Sequence, residues 1–288
     1  MQRPLGHRRA GEPHADSWRG TLAGPTRERT RHMDRLKDKV VLVTGAGSGI
    51  GQACAELFAE EGGKVVVEDI NADAAEHVAE GIRASGCKAI AVQGDVSVAA
   101  DAQRMVDAAV NEWGRIDIVV SNAGVQRVVA SIELLPEEDW DRVIDVNLKG
   151  SFLVSKAAIP YMKRDGGGVI VFTGSEMGFI ADPQLPVYNA SKGGLHMLMK
   201  SMAINLIKHN IRVNAFCPGE TNTPLLQSEI DNSPDPAKTK AEYDAWAPIG
   251  RMASPREQAY VALFLASEES SFVVGSTYLA DGGFTASI

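Results

Sequence analysis

Cysteines and long apolar runs are scarce in this 288-residue sequence. The three cysteines, Cys54, Cys87 and Cys217, are scattered, which excludes a disulfide framework and the paired spacing of a zinc site. No stretch of about 18 apolar residues occurs, so no transmembrane helix is predicted. We therefore expect a cytoplasmic protein with neither a bound metal nor a membrane partner.

Basic residues are also scarce beyond the first 32 positions. Residues 1–32 carry a net charge of +4, whereas residues 33–288 carry 22 basic and 34 acidic side chains. A domain with an excess of acidic side chains is poorly suited to neutralising phosphates, so nucleic acid is not an expected partner. Residues 1–32 lack periodicity and the apolar core of a secretory signal. We expect a disordered basic tail there and a single domain over residues 33–288.

Beyond residue 38, short β-branched runs alternate with segments of helical periodicity. The predicted strands are 39–44, 64–68, 88–93, 116–121, 168–174, 211–216 and 276–280. The predicted helices are 50–61, 72–85, 98–113, 137–163, 187–209 and 255–266. Strands alternating with helices indicate βαβ units and a parallel sheet with helices on both faces. We therefore predict an α/β fold with a doubly wound, Rossmann-type sheet of about seven strands.

A glycine-rich turn lies between the first predicted strand and helix. Residues 44–51 read TGAGSGIG, which matches the spacing TGxxxGxG but not the strict G-x-G-x-x-G fingerprint. Glycines allow the backbone N–H groups to approach a diphosphate, and the positive end of the following helix attracts it. This turn predicts a dinucleotide cofactor held by Gly45, Ser48, Gly49, Ile50 and Gly51.

The second predicted strand ends at Glu68 and Asp69. An acid at this position can bind the adenosine ribose hydroxyls and repel a 2′-phosphate, and we favour Asp69 over Glu68 for this role. The glycine turn holds no arginine that could pair with a 2′-phosphate. Both features favour NAD over NADP. The alternative is that Asp69 or Asn71 only caps the next helix.

Three further side chains could form a hydride-transfer site, and a fourth could support it. Tyr188 and Lys192 stand four apart at the start of a helix, on one face, and a nearby ammonium would lower the pKa of the tyrosine. Such a tyrosine can take the proton of an alcohol. Ser175 follows the fifth strand and would face the glycine turn. Asn147, within a long helix, could be a polar interruption that holds a water.

These motifs together resemble those of the short-chain dehydrogenase/reductase family over residues 36–288. The resemblance rests on TGAGSGIG, Gly94-Asp95-Val96, Asn122-Ala123-Gly124, Asn147, Ser175, Tyr188, Lys192, Pro218-Gly219 and Asp281-Gly282-Gly283. It implies that Tyr188 is the general acid/base and that Ser175 positions the substrate oxygen. It also implies that Lys192 binds the nicotinamide ribose and tunes Tyr188, and that Asn147 holds the water of a proton relay.

The same resemblance implies the remaining cofactor contacts. Asp95 and Val96 would meet the adenine, and Asn122, Ala123 and Gly124 would lie along the cofactor. The segment after the sixth strand would contribute the last contacts, from Pro218, Gly219, Thr221 and Thr223. Members of the family use no catalytic metal and are commonly homotetramers, joined through helices such as 137–163 and 187–209.

Residues 220–250 form a long insertion that we expect to cover the substrate as a lid. Leu225, Tyr243 and Trp246 could form pocket walls, or could equally pack onto the domain. We expect an NAD-dependent enzyme that interconverts a secondary alcohol (sugar, polyol or cyclic alcohol) and a ketone. One alternative is a 3-oxoacyl-thioester reductase, which Ser48 and Asp69 disfavour. A second is a non-catalytic dinucleotide-binding regulator.

Overall fold

The structure, a computed structural model, describes residues 34–126 and 131–287. The predicted basic tail lies outside the described residues. Within them, seven parallel strands form one sheet in the order β3-β2-β1-β4-β5-β6-β7, which confirms the doubly wound α/β fold. The strands are β1 Val40–Thr44, β2 Lys64–Asp69, β3 Lys88–Gln93, β4 Ile118–Ser121, β5 Gly168–Thr173, β6 Ile211–Pro218 and β7 Thr277–Ala280.

Helices connect the strands and cover both faces of the sheet. Those of the described residues are α1 Gly49–Glu60, α2 Ala72–Ala84, α3 Ala99–Trp113, α4 Glu137–Ile144, α5 Ser151–Arg164, α6 Pro186–Leu206, α7 Pro224–Asp231, α8 Pro236–Trp246 and α9 Pro255–Ala266. In the part of the chain that the structure describes, no helix is long and apolar enough to cross a membrane.

Alternate residues of the central strand β1 point to opposite faces of the sheet. Val41 and Val43 belong to the core formed with α1, α2 and α9, while Val40 and Leu42 belong to the core formed with α3, α5 and α6. All four are fully buried. Burying an aliphatic side chain of this size contributes about 1.5–3 kcal/mol, so the β-branched runs of the sequence stabilise both layers.

The predicted helix 137–163 contains an irregularity. A π-helical turn at Asp145–Gly150 joins α4 to α5, and Asn147 lies within it. A π-helical turn adds one residue to a helix locally and occurs frequently at functional sites. The apolar spacing on either side is helical, so the periodicity of the sequence does not reveal it.

The insertion at 220–250 contains two short helices, α7 and α8, each begun by proline. Leu226 and Ile230 of α7 pack with Met252 into a small cluster, and Tyr243 of α8 packs against it. This segment follows β6 and lies beside the carboxyl end of the sheet. Its position agrees with the predicted place of a lid, and its covering function stays a prediction.

The strand order reverses at β1. Strands β2 and β3 extend to one side of β1, and β4 to β7 extend to the other. Because the helices that follow β1 and β4 leave toward opposite faces, a crevice opens at the carboxyl ends of these two strands. The glycine turn follows β1 and the Asn122 motif follows β4, so both meet at this crevice.

Candidate active site

A cavity of about 420 Å³ occupies the crevice at the carboxyl ends of the strands. Most of the predicted site residues line it. They are Gly45, Ser48, Gly49, Ile50, Asp69, Asp95, Val96, Asn122, Ala123, Gly124, Ser175, Tyr188, Lys192, Pro218, Gly219, Thr221 and Thr223. Gly51 and Asn147, which were also predicted to be site residues, do not line the cavity.

The glycine turn is shaped by close backbone contacts. Gly45 has a φ of +62°, and a Cβ there would lie 2.8 Å from the Cα of Ala123. A Cβ on Gly51 would lie 2.1 Å from the carbonyl oxygen of Gly45. Gly51 is therefore needed for the packing of α1 against the turn, and its contact with a cofactor stays a prediction. The start of α1 at Gly49 leaves backbone N–H groups available beside the cavity.

The structure shows which of Asp69 and Asn71 caps the helix that follows β2. Asn71 caps α2 by accepting hydrogen bonds from the backbone N–H groups of Asp73 and Ala74. Asp69 lines the cavity, and its Oδ2 accepts a hydrogen bond of 3.0 Å from the backbone N–H of Gly47. Its Oδ1 accepts one of 2.9 Å from the backbone N–H of Asn71. The Asp69 carboxylate is thus held at the edge of the glycine turn.

Glu68 lies beneath the same turn. Its Oε2 accepts a hydrogen bond of 3.3 Å from the backbone N–H of Gly45, and the side chain is fully buried. Burial raises the pKa of Glu68 to about 8, and the nearby carboxylates of Asp69 and Asp95 add to this shift. From the sequence, Glu68 was the less favoured candidate for binding the ribose. Its position within a buried β-branched strand was the available signal that it would be desolvated.

Ser175, Tyr188 and Lys192 meet at the other end of the cavity. Ser175 directly follows Gly174 at the end of β5, and Tyr188 and Lys192 lie in the first turns of α6. The Lys192 ammonium lies 5.6 Å from the centre of the Tyr188 ring. It donates a hydrogen bond of 2.8 Å to the carbonyl oxygen of Thr173. The side chains of Ser175, Tyr188 and Lys192 therefore lie close together at one end of the cavity.

The pKa values of this group depend mainly on burial. Burial raises the pKa of Tyr188, and hydrogen bonding to Ser175 opposes the shift. Burial lowers the pKa of Lys192 to about 8. Desolvation of the phenolate is the main cause of the raised pKa of Tyr188. That Lys192 and a bound nicotinamide lower this pKa stays a prediction.

Asn147 lies behind the cavity. Its Oδ1 accepts a hydrogen bond of 2.8 Å from the backbone N–H of Val125, and its Nδ2 donates one of 3.0 Å to the carbonyl oxygen of Val125. The same Nδ2 lies 3.2 Å from the hydroxyl of Ser191 on α6. The side chain thus ties the Asn122 motif to the helix of Tyr188 and Lys192. Its role in a water relay stays a prediction.

Two of the three residues that the sequence analysis named as possible pocket walls line the outer part of the cavity. Leu225 and Tyr243 line it, whereas Trp246 packs against the ring of Phe284 at 5.6 Å and does not. Further lining residues come from the loop after β5, from β6 and its continuation, and from α4 and α7. They include Gln126, Arg142, Glu176, Met177, Leu185, Glu220, Leu226 and Glu229. Among these, Arg142 lies on α4, Glu229 on α7 and Glu220 in the segment after β6. No motif of the sequence indicated that they line the cavity, because tertiary contacts bring them there.

A nicotinamide dinucleotide fits the residues of this cavity. A side chain on Gly45 would overlap Ala123, and one on Gly49 would crowd Thr223, so the backbone is bare at these two positions. Asp69 offers a carboxylate at the same end of the cavity. Ser175, Tyr188 and Lys192 offer hydroxyl and ammonium groups at the other. Within residues 34–126 and 131–287, no group of three or more His, Cys, Asp or Glu side chains is arranged to hold a metal ion.

Comparison with known proteins agrees with this geometry. A family model described as enoyl-(acyl carrier protein) reductase matches residues 45–285. The chain belongs to the short-chain dehydrogenase/reductase family. Members of this family use nicotinamide cofactors, and this family member is an oxidoreductase that acts on CH–OH groups.

The similarity to known relatives covers most of this dehydrogenase/reductase. It is 43% identical over 251 residues to an uncharacterized oxidoreductase of Thermotoga maritima, covering 87% of this chain and 99% of the relative. It is 39% identical to the cis-4-hydroxycyclohexanecarboxylate dehydrogenase of Sinomonas cyclohexanicum, covering 88% and 99% of the two chains. The crystal structure of gox2181 superimposes with a TM-score of 0.82 at 33% identity, covering 88% and 99%.

Proposed function

We propose that this enzyme is an NAD-dependent dehydrogenase that interconverts a secondary alcohol and a ketone. The observation that carries the proposal is the convergence of Ser175, Tyr188 and Lys192 on one end of a cavity whose other end is lined by Asp69. The relative from Sinomonas cyclohexanicum supports it, because a cis-4-hydroxycyclohexanecarboxylate dehydrogenase acts on a cyclic secondary alcohol.

The reaction requires that a hydride and a proton leave the alcohol. Bound NAD supplies the hydride acceptor. Tyr188 acts in its phenolate form, which the positive charges of Lys192 and of bound NAD favour, and its oxygen takes the proton of the alcohol. The hydroxyl of Ser175 holds the reacting oxygen by a hydrogen bond. Lys192 supplies a positive charge near Tyr188 and a donor for the nicotinamide ribose. Asn147 positions the loop of Val125 and the helix that carries Tyr188.

The preference for NAD is proposed from Asp69. Its carboxylate lines the cavity where the adenosine ribose would lie, and it can accept hydrogen bonds from the ribose hydroxyls. A 2′-phosphate would meet this negative charge. Among the described lining residues, the Lys and Arg side chains are Lys192, near the catalytic tyrosine, and Arg142, on α4. Neither belongs to the glycine turn or to the loop that follows β2.

We also propose that the enzyme is a homo-oligomer, a tetramer or a dimer, joined through α5 and α6. Both helices carry large apolar side chains that are exposed in the single chain, namely Phe152, Met197 and Ile204. Exposed apolar groups on adjacent helices are typical of subunit interfaces. Light scattering coupled to gel filtration tests this state, and a monomer at micromolar concentration would contradict it.

A reduction assay tests the main proposal. The full chain is mixed with NAD or NADP and with cyclohexanol, cyclic diols, polyols, sugars or 4-hydroxycyclohexanecarboxylate, and the absorbance of reduced nicotinamide is followed. We expect reduction of NAD by at least one secondary alcohol, and a lower kcat/KM with NADP. No reduction by any alcohol, together with rapid oxidation of NADPH by a 3-oxoacyl thioester, would replace the proposal with the acyl-thioester reductase.

A further inference from the structure

One carboxyl group lies unusually close to the proposed catalytic hydroxyls. Glu176 directly follows Ser175, lines the cavity, and is only 4% exposed. Its Oε2 accepts a hydrogen bond of 3.3 Å from the hydroxyl of Ser175. Among the described residues, no Lys, Arg or His side chain forms an ion pair with it. A buried carboxyl without a cationic partner needs other hydrogen-bond partners.

The surroundings of Glu176 keep it neutral near pH 7. Burial raises the pKa of Glu176 to about 8, and the negative charge of Glu220 contributes to this shift. Glu220 lines the same part of the cavity, and burial raises its pKa to about 7. Glu229 lies farther out, where its Oε2 accepts a hydrogen bond of 3.3 Å from the hydroxyl of Tyr243. A neutral carboxyl group binds hydroxyl groups well and does not attract an ammonium group strongly.

We propose that Glu176 is a specificity-determining residue that selects neutral vicinal diols, binding the hydroxyl next to the one that is oxidised. This inference rests on the proposed function. The reacting oxygen would lie on the hydroxyls of Ser175 and Tyr188. The neighbouring hydroxyl would then hydrogen-bond to the Glu176 carboxyl. The hydrogen bond from Ser175 to Glu176 would thereby be exchanged for two hydrogen bonds to the substrate.

The distance between the two protein groups supports a diol over an alcohol with one hydroxyl. The Ser175 oxygen and the Glu176 carboxyl oxygen are 3.3 Å apart. Hydroxyls on adjacent carbons in a gauche arrangement lie at a similar separation, so both can be bound without moving either side chain. A substrate with a single hydroxyl would break the bond between Ser175 and Glu176 and leave the buried carboxyl without a replacement, which disfavours its binding.

Kinetics with matched substrates tests the inference. The substrates are cyclohexanol, cis- and trans-1,2-cyclohexanediol and 2-aminocyclohexanol, each with NAD and the full chain. We expect the better diol to exceed cyclohexanol in kcat/KM by at least about tenfold, the effect of one good hydrogen bond at a desolvated site. Equal values for the diols and cyclohexanol, or a preference for the amino alcohol, would overturn the inference while leaving the alcohol dehydrogenase intact.

Variants of Glu176 complete the test. In Glu176→Leu we expect the ratio of kcat/KM for diol over cyclohexanol to fall about tenfold, because the acceptor is lost. Glu176→Gln keeps a hydrogen-bond acceptor and a donor, so we expect the ratio to stay within about threefold of the original. This variant also tests the inference if Glu176→Leu does not fold. Glu112→Leu, at an exposed position of α3, is the matched control and should leave the ratio unchanged. An unchanged ratio in Glu176→Leu would overturn the inference. So would collapse of the ratio in Glu176→Gln.

The two proposals fail in different ways. If no alcohol of any kind reduces NAD or NADP, the proposed function fails. If alcohols with one hydroxyl are oxidised as well as diols, only the role of Glu176 fails. NADH binding, followed by its fluorescence, shows in either case whether the cavity holds the cofactor.

Discussion

Asn147 holds both polar backbone atoms of Val125 with a single side chain, through hydrogen bonds of 2.8 and 3.0 Å. This pairing joins the π-helical turn after α4 to the loop after β4. The third contact, to the hydroxyl of Ser191, extends it to α6. Three segments that are distant in sequence are thereby held around the proposed nicotinamide end of the cavity.

Replacing Asn147 should therefore affect stability as well as turnover. In Asn147→Leu the N–H and carbonyl groups of Val125 lose their partners, and we expect the free energy of unfolding to fall by about 2–4 kcal/mol. We expect kcat to fall more than the KM for the alcohol rises. Urea unfolding and steady-state kinetics measure both. Asn111→Leu, at an exposed position of α3, is the control, and equal stability of the two variants would contradict the role of this pairing.

Removing the hydroxyl of Tyr188 should abolish proton transfer and leave the cavity in place. For Tyr188→Phe we expect kcat to fall by about 100- to 10,000-fold, while NADH binds with nearly unchanged Kd. Steady-state kinetics and NADH fluorescence measure the two quantities. Tyr260→Phe, on the partly exposed outer side of α9, is the control. Retention of a tenth of the original activity in Tyr188→Phe would exclude this tyrosine as the acid/base.

Asp69→Ala should reduce the preference of the enzyme for NAD over NADP. The substitution removes the acceptor for the ribose hydroxyls and the charge that a 2′-phosphate would meet, so we expect the NAD/NADP ratio of kcat/KM to fall about tenfold or more. Asp73→Ala, in the exposed first turn of α2, controls for a general loss of negative charge in this region. Unchanged selectivity in Asp69→Ala would refute the assignment of the ribose site.

Glu68 should make cofactor binding depend on pH. Its pKa is raised to about 8, so the carboxyl is neutral at pH 7 and charged at pH 9. The new negative charge would lie beneath the backbone that approaches the diphosphate. A repulsion of ~1 kcal/mol between the two would raise the Kd for NADH about fivefold. In Glu68→Gln we expect this rise between pH 7 and 9 to disappear. An identical pH profile in the variant would contradict the prediction.

The same group should influence stability in a defined direction. The folded-state pKa of Glu68 lies above its ordinary value of 4.5, so the folded protein binds the proton more tightly than the unfolded chain. Its contribution is therefore fully present below about pH 4.5 and is lost as the pH rises through 8. Melting temperatures should show Glu68→Gln gaining stability relative to the original protein between pH 6 and 9, and no relative gain would count against the shift.

Arg212 should be important for stability although it lies far from the cavity. It is buried on β6 and donates hydrogen bonds to the carbonyl oxygens of Leu265 and Ser267 and to the hydroxyl of Ser270. Arg212→Met would remove three hydrogen bonds from a buried charged donor, and we expect a loss of about 2–4 kcal/mol in the free energy of unfolding, measured by urea unfolding. Kinetic constants of the folded fraction should stay the same, and a loss below about 1 kcal/mol would contradict the prediction.

Local sequence patterns predicted the elements of the sheet closely. The predicted strand 88–93 agrees with β3, and the predicted helix 255–266 agrees with α9. β-branched runs and helical spacing are local signals, so they identify elements without knowledge of their neighbours. The π-helical turn at Asp145–Gly150 escaped prediction, because its extra residue depends on contacts of Asn147 with distant segments.

The composition of the cavity depended on tertiary contacts. The glycine turn, Ser175, Tyr188 and Lys192 could be named from motif spacing, because the parallel sheet brings strand ends together in any chain of this pattern. The burial of Glu68 and Glu176 could not, since desolvation depends on everything packed around a group. For the same reason the sequence did not reveal that burial raises the pKa of Tyr188 in the protein alone.

The scarcity of cysteines and apolar runs, the alternation of strands and helices, and the order of the motifs by themselves determined the fold class and the family. These signals are local or depend only on chain order. Tertiary structure alone decided that Gly51 packs against Gly45, that Asn147 pairs with Val125, and that a buried carboxyl group lies beside Ser175. Each of these depends on distances between atoms that only the packed fold brings together.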